Sequence, residues 1–310
     1  MVKRVLCLWI VGILILSGCS FQTSFREDIT HDTTWTSDSA YFGKGMKFEL
    51  ASSDLFEPDQ QVFWIHDEEE LALILAIKFD EGIYTVEYLS EIPLATDKVI
   101  SYLVSLFVHD FEYFDGTVEY SDYGVFKFES EYVTLESKPT ENIFVEKEID
   151  EWTKDIKSKE LDPADEAKYL HDRIITEVRY DDVAAKNPDR ETDAFSAMGV
   201  FEDKKAVCNG YSQAYLGLMK EMEIPAILIS SDTDDHAWNM VYIGNEWQYV
   251  DTTWDDMDTK IEKPIYDYFL KDTNEFLDHE FDETGYMTLS KEDYTEFAKY
   301  VFPQTHPTSP

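Results

Sequence analysis

Apolar positions along this chain recur with two periods, and the changes of period divide it into elements. Val5 to Leu16 is an unbroken apolar stretch behind Lys3 and Arg4. Gln61-Val62-Phe63-Trp64-Ile65 reads as a short strand. Asp67, with Glu70 three residues on, opens a helix as a capping-box-like pair, and Leu71, Ile74, Leu75 and Ile77 give it a buried face. Ile83 to Leu89 alternates as a strand. Thr96 caps a second helix bearing Val99, Ile100, Leu103, Val104 and Phe107, and strands at about 116–120 and 124–135 follow. After Pro139-Thr140 the period becomes helical, with Val145, Ile149, Trp152 and Ile156 spaced by four, three and four. Asp162-Pro163, a cap residue and a proline at the first helical position, starts another helix with Ala167, Leu170, Ile174 and Val178 as its stripe. A polar loop over 182–192 leads to a short helix at about 193–200. Cys208, Tyr211, Tyr215, Leu218 and Met222 then mark one face of a further helix. Ile224-Pro225 breaks it before the short buried strand Ala226-Ile227-Leu228-Ile229. His236 to Ile243 is extended, Gly244-Asn245 is a two-residue hairpin turn, and Glu246 to Asp251 returns.

The chain has 310 residues, 44% hydrophobic and 15% aromatic, which is enough for a sizeable core and allows one large domain or two modest ones. The elements divide into a small α/β unit over 46–138 and an α+β unit over 139–300. Residues 19–45 are polar with little periodicity and read as a flexible tether, and 301–310 read as a tail. A net charge of −39 argues against nucleic acid and anionic lipid surfaces as partners, because phosphates are repelled. Acidic residues keep a secreted surface soluble; the sharper reading is attraction of basic substrates such as lysine-rich proteins.

Residues 1–18 have the organisation of a signal peptide, with a basic start and an apolar segment short for a membrane span. They run into Cys19 as Leu16-Ser17-Gly18-Cys19, which resembles the bacterial lipobox. That resemblance implies cleavage before Cys19 and a diacylglyceryl group on it, so that the protein is an extracytoplasmic lipoprotein held on the membrane by its lipid. An ordinary signal peptide or anchor with an incidental cysteine is the other reading. With Cys7 removed and Cys19 lipidated, Cys208 is the one thiol left, and no intrachain disulfide can form. A leftover thiol is either reactive or a small buried apolar residue, and count alone does not choose.

Position adds to count. Cys208 falls in the first turn of its helix, where exposed N–H groups and the positive dipole end favour a thiolate and can stabilise an oxyanion beside the sulfur. If the Gly244-Asn245 turn is two residues long, Ile243 opposes Glu246 and Trp238 opposes Asp251. His236 and Asp251 then become diagonal neighbours on one face, whereas a one-residue slip separates them. A carboxylate so placed holds an imidazole tautomer and stabilises the imidazolium, the orienting role of a triad. Trp238, Trp247 and Trp254 are expected to pack the hairpin, the other reading being that one of them shapes an acyl tunnel, and His171 and His279 are expected to be structural. The acidic clusters Asp232, Asp234, Asp235 and Asp255, Asp256, Asp258 lack the glycine and terminal glutamate of an EF-hand loop and read as solvated charge. Neither a zinc-ligand spacing nor a phosphate-cradling loop occurs, so no cofactor and no metal ligands are assigned, and whether the acidic clusters attract calcium stays open.

Ala206-Val207-Cys208-Asn209-Gly210-Tyr211-Ser212, His236-Ala237-Trp238-Asn239 and Val250-Asp251-Thr252-Thr253-Trp254-Asp255 together resemble the transglutaminase-like superfamily of bacterial proteins. The order Cys, His, Asp, with gaps of 28 and 15 residues, is that of its core; papain-type proteases need a longer first gap and caspase-type enzymes place His first. The similarity extends through Tyr169-Leu170-His171-Asp172, Tyr180-Asp181, Tyr266-Asp267-Tyr268-Phe269-Leu270 and His279. Glu223 stands where a helix-ending glycine is usual, and Ser230 where the next strand often ends in glycine. The resemblance implies an α+β, papain-like core with cysteine at a helix N-terminus packed on an antiparallel sheet carrying histidine and aspartate. It implies Cys208 as nucleophile, His236 as base and Asp251 as orienting residue, with Tyr180 as a candidate second oxyanion donor and Asn239 as support. The activity implied is cofactor-free acyl transfer or hydrolysis on a protein or cell-wall peptide amide. The superfamily also holds cysteine peptidases and members without activity, so a peptidase or an idle surface scaffold stays open, and the sequence does not set an oligomeric state.

Overall fold

The computed structural model describes residues 29–305 except 55, 58, 82, 84, 91, 93, 107–115, 121–125, 131–138, 188–192, 257–263 and 283–288. The signal-like segment with Cys19, Phe107, Asp258 and the far end of the expected 124–135 strand lie outside the described residues. The fold is α+β.

Six strands, β1 (Thr30–Thr36), β2 (Lys47–Ser52), β3 (Val62–Ile65), β4 (Thr85–Ser90), β5 (Gly116–Tyr120) and β6 (Phe126–Ser130), form one sheet in the order β1-β2-β3-β4-β6-β5. Only the β3–β4 pair in it is parallel, and its crossover is helix α1 (Glu68–Asp80). Asp67 caps α1 by accepting from the Glu70 amide at 2.8 Å, as the sequence pair suggests. Leu71 to Ile77 are all buried, not one stripe, because helices cover α1 on the side away from the sheet. Those helices are α2 (Thr96–Val104) and α7 (Lys291–Val301).

Two expectations need correction. The tether of 19–45 gives way to strand β1 and to Phe42, which is 1% exposed. The strand escapes periodicity because it is an edge strand exposed at nearly every position; its signal is β-branched threonine, not alternation. The tail of 301–310 likewise starts too early. Val301, Phe302 and Thr305 are buried, and Phe302 meets the ring of Tyr41 at 5.0 Å.

The second layer is built on β9 (Ala226–Ser231), β10 (His236–Ile243) and β11 (Glu246–Val250), an antiparallel sheet with β10 in the middle. Leu228, Val241 and Val250 face α3 (Pro139–Lys157), α4 (Pro163–Glu177) and α6 (Cys208–Glu221) in one apolar cluster. Ile227, Ile229, Trp238, Met240 and Tyr249 point the other way, into a cluster shared with α1, α2, α7, Phe48 and Phe63. The elements on either side of residue 139 therefore do not have separate cores. Polar links cross the same boundary: Tyr41 donates to the Ile224 carbonyl at 2.8 Å, and the Leu228 amide donates to the Ser105 carbonyl at 2.8 Å.

Gly244 and Asn245 both have φ of +68°, the geometry of a tight hairpin turn. The register that follows is Ile243 opposite Glu246 through Asn239 opposite Val250. Glu223 takes φ of +56°, a left-handed conformation that costs a non-glycine residue about 1–2 kcal/mol. The sequence departure at this helix end is thus tolerated without a change of turn.

Phe297, on α7, is fully buried with its ring 4.4 Å from that of Tyr102. Truncation to alanine is expected to cost about 3–5 kcal/mol, read from equilibrium denaturation. A loss below about 1 kcal/mol would show that α7 is not part of the core that carries β9 to β11.

Candidate active site

Cys208 opens α6, and Val207 before it offers no side chain to cap the helix, so first-turn N–H groups are not satisfied from that position. The chain reaches this point through β8 (Lys205–Ala206), paired in parallel with β7 (Arg179–Tyr180). Gly210 is needed for a steric reason. A Cβ there would lie 2.7 Å from the carbonyl oxygens of both Ala194 and Ser196. Asn209 donates to the Phe195 carbonyl at 2.8 Å, and the Val207 amide to that of Ala194 at 2.8 Å. The 193–196 turn therefore clamps the start of α6 and leaves the Cys208 side chain half-buried.

His236 opens β10, and Asp251 directly follows β11. The two share the sheet face that carries Trp238 and Tyr249, and His236 Nε2 donates to Asp251 Oδ2 at 2.6 Å. The other side of the imidazole interacts with Cys208. Burial works against an imidazolium here, but the hydrogen bonds and charges of Asp251 and Cys208 outweigh it and push the His236 pKa up to about 10. The structure thus brings Cys208, His236 and Asp251 together.

Asp251 has no solvent exposure. Its Oδ1 accepts from the amides of Thr253 at 2.8 Å and Trp254 at 3.1 Å, and its Oδ2 accepts from His236 and, at 2.9 Å, from His279 Nε2. Burial penalises the anion, yet the two histidines more than compensate and hold its pKa below the usual carboxylate range. His279 is the residue that reading the sequence as structure missed. The signal was its place at the end of the superfamily-like segment, which identified the position but gave it no partner.

Tyr180 is the neighbour of Cys208 from β7, and burial, followed by the charges of Cys208 and nearby aspartates, pushes its pKa up to about 12. Asn239 points to the opposite sheet face and donates to the Ser212 carbonyl at 3.0 Å, which ties β10 to α6. It is a strut, not an oxyanion donor. His171, also buried, pairs through Nε2 with Asp255 at 3.0 Å and fastens α4 to the turn after Asp251. Trp254 stacks on His236 with centroids 5.0 Å apart, whereas Trp247 lies against Phe302 at 5.9 Å, away from the site.

Among the described residues, His236, Asp251 and His279 are a group whose donor atoms could surround a cation, all within 4.8 Å of one another. The 2.6 and 2.9 Å separations are hydrogen-bond lengths, so a proton on each Nε2 accounts for the arrangement.

Residues 150–252 match the family model of the Transglutaminase-like superfamily. Kyphoscoliosis peptidase of Mus musculus is 27% identical over 138 residues, 38% of this chain and 21% of that protein. The Homo sapiens protein of the same name is 27% identical over 95 residues, 26% of this chain and 14% of its own. The chain thus spans only about a fifth or less of these relatives. A solved structure described as a TGase is 17% identical, with 55% of this chain and 50% of that one covered, at a TM-score of 0.32.

Asp256 accepts a hydrogen bond from Tyr211 of α6 and so joins the aspartate turn to the cysteine helix. Burial raises its pKa to about 6, against the opposing effects of the Tyr211 bond and the Arg179 charge. The folded state therefore holds this proton more tightly than the unfolded chain, and the group's contribution to stability falls as pH rises from about 4 to 6. Asp256→Asn keeps an acceptor for Tyr211 and removes the titration. It is expected to match the native protein near pH 4 and exceed it by about 1 kcal/mol at pH 7, a figure discounted for solvent screening and measured by denaturation at both pH values.

Proposed function

We propose that this protein is a cysteine enzyme that transfers or hydrolyses the acyl group of a protein or peptide amide through a thioester on Cys208. The observation that carries the reading is His236 standing between the Asp251 carboxylate, at 2.6 Å, and the Cys208 side chain. In the reaction His236 takes the proton from Sγ and the sulfur attacks the amide carbonyl. The oxyanion meets first-turn N–H groups of α6, with Tyr180 alongside. His236 then gives its proton to the departing amine or ammonia as the C–N bond breaks, leaving the thioester. A primary amine resolves the thioester into a new amide; water resolves it into a carboxylate, with His236 again accepting the proton.

Hydrolysis is the second reading, supported by the name of the peptidase relatives. To separate them, the full chain is incubated with a glutamine-containing protein and a labelled primary amine. Label incorporated by the native protein and lost in Cys208→Ala supports transfer; cleavage or deamidation without label, lost in the same variant, supports hydrolysis. Neither product from the native protein would leave a surface-anchored binding protein.

The proposed setting is the outer face of a bacterial membrane, supported by residues 1–19. Among the described residues no helix is long and apolar enough to cross a membrane. Cys19→Ser is expected to abolish labelling by a palmitate analogue and to release the protein from the membrane fraction. Retention of both label and membrane association would overturn the lipid anchor.

A further inference from the structure

The Asp251 carboxylate serves two imidazoles, not one. His236 Nε2 and His279 Nε2 converge on the same oxygen, Oδ2, at 2.6 and 2.9 Å, while two backbone amides occupy Oδ1. The His279 side chain is wholly enclosed. Its ring stacks on Phe276 with centroids 3.7 Å apart and lies 4.1 Å from that of Trp254. Among the described residues its Nδ1 has no hydrogen-bond partner. A buried lone pair without a donor is tolerated more readily than a buried N–H without an acceptor, so this environment favours a proton on Nε2, where Asp251 accepts it, over one on Nδ1. A carboxylate oxygen that accepts a second N–H also has less electron density to offer the first.

We propose that His279 is a positioning residue of this site, a fixed N–H donor that aligns the Asp251 carboxylate and divides its pull on His236, so that the imidazolium can release its proton to the leaving group. The inference rests on the reading of Cys208, His236 and Asp251 as the reacting set. Without His279, Oδ2 belongs to His236 alone. The imidazolium is then held harder, the sulfur loses its proton at lower pH, and His236 keeps its own to higher pH. Proton delivery to the leaving amine slows. Among the described residues, the other titratable groups around this cluster include Cys208 from α6, Tyr180 beside it, Asp255 of the turn, and Tyr268 and Asp278 of the segment that carries His279. All of them are retained in the variants below.

The test compares the full-length protein with His279→Phe, which keeps an aromatic ring in the stack and removes the donor, and His279→Gln, which restores an N–H. Two pH profiles are recorded, Cys208 alkylation by iodoacetamide and turnover in whichever assay gives product. For His279→Phe the acid limb of alkylation is expected to move down by about half a pH unit or more. Its turnover profile widens at both ends, and kcat falls about tenfold with KM little changed. His279→Gln should return both towards the native profile. Unchanged limbs, a narrowed turnover profile, or identical behaviour of the two variants would overturn the inference. Alkylation needs no substrate, so a protein without turnover would sink the enzyme reading and still test His279. Histidine-15N spectra of the unaltered protein give a check independent of any variant's folding: His279 should carry its proton on Nε2, and a proton on Nδ1 would overturn the proposal.

Discussion

A carboxylate removed from water stays charged only where its lone pairs are met by donors, and the region around Asp251 is arranged to meet them. Four N–H groups reach it, two from the backbone of its own turn and two from histidines on different segments. Each fixes a different piece of the molecule relative to the others. The amides of Thr253 and Trp254 curl the chain after β11, His236 anchors the start of β10, and His279 pins the segment that follows. The Asp251 amide donates in turn to the Tyr268 carbonyl at 3.0 Å, and the Asp255 amide returns to the Asp251 carbonyl at 3.3 Å. A single buried charge thus organises the end of the sheet nearest the cysteine helix.

That end holds its shape because the sheet is covered on both faces. Helices α3, α4 and α6 bury one face, and α1, α2 and α7 with the six-stranded sheet bury the other. His236 and Asp251 point to the second face, so the layer behind them comes partly from the first half of the chain. Cys208 arrives from the helix on the first face, held by Gly210 and Asn209 against the 193–196 turn. The sulfur and the imidazole therefore approach around the sheet end, each fixed by a different core. The N-terminal half is structurally tied to the site through the packing of β9 and β10, whatever it binds.

Much of this was legible in the residues because it follows from short-range rules. The Gly244-Asn245 turn fixed the hairpin register, and register alone put His236 and Asp251 on one face. The Asp67 and Asp162 caps lie at helix starts where side chain and backbone meet within three residues. What escaped depends on distant partners. Strand β1 has no periodic signal because one edge and most of its side chains meet solvent. Phe302 looks like part of a tail until α7 folds back on Tyr41 and Phe42. His279 sits 28 residues beyond Asp251, across a segment whose described residues form no named helix or strand, so no turn or ladder could have placed it. Asn239 was legible in part, as a supporting residue; its partner, the Ser212 carbonyl, lies on the neighbouring helix.

The acidity of the chain bears on which step it can influence. If the acceptor is a lysine side chain, the negative potential around a protein of charge −39 concentrates the ammonium form near the site. The same potential raises the amine's pKa by the matching factor, because it stabilises the charged form. The two effects cancel for the neutral amine, the species that attacks a thioester, so its local concentration is unchanged by the field. Charge of this kind therefore does not speed aminolysis over hydrolysis by supplying nucleophile. For a basic macromolecular substrate, its influence would fall on encounter and on the length of its stay at the surface. Under the proposed acyl-transfer reading, partition between amine and water would then be set at short range, by how Trp254, Tyr180 and the first turn of α6 shape access to the half-buried sulfur.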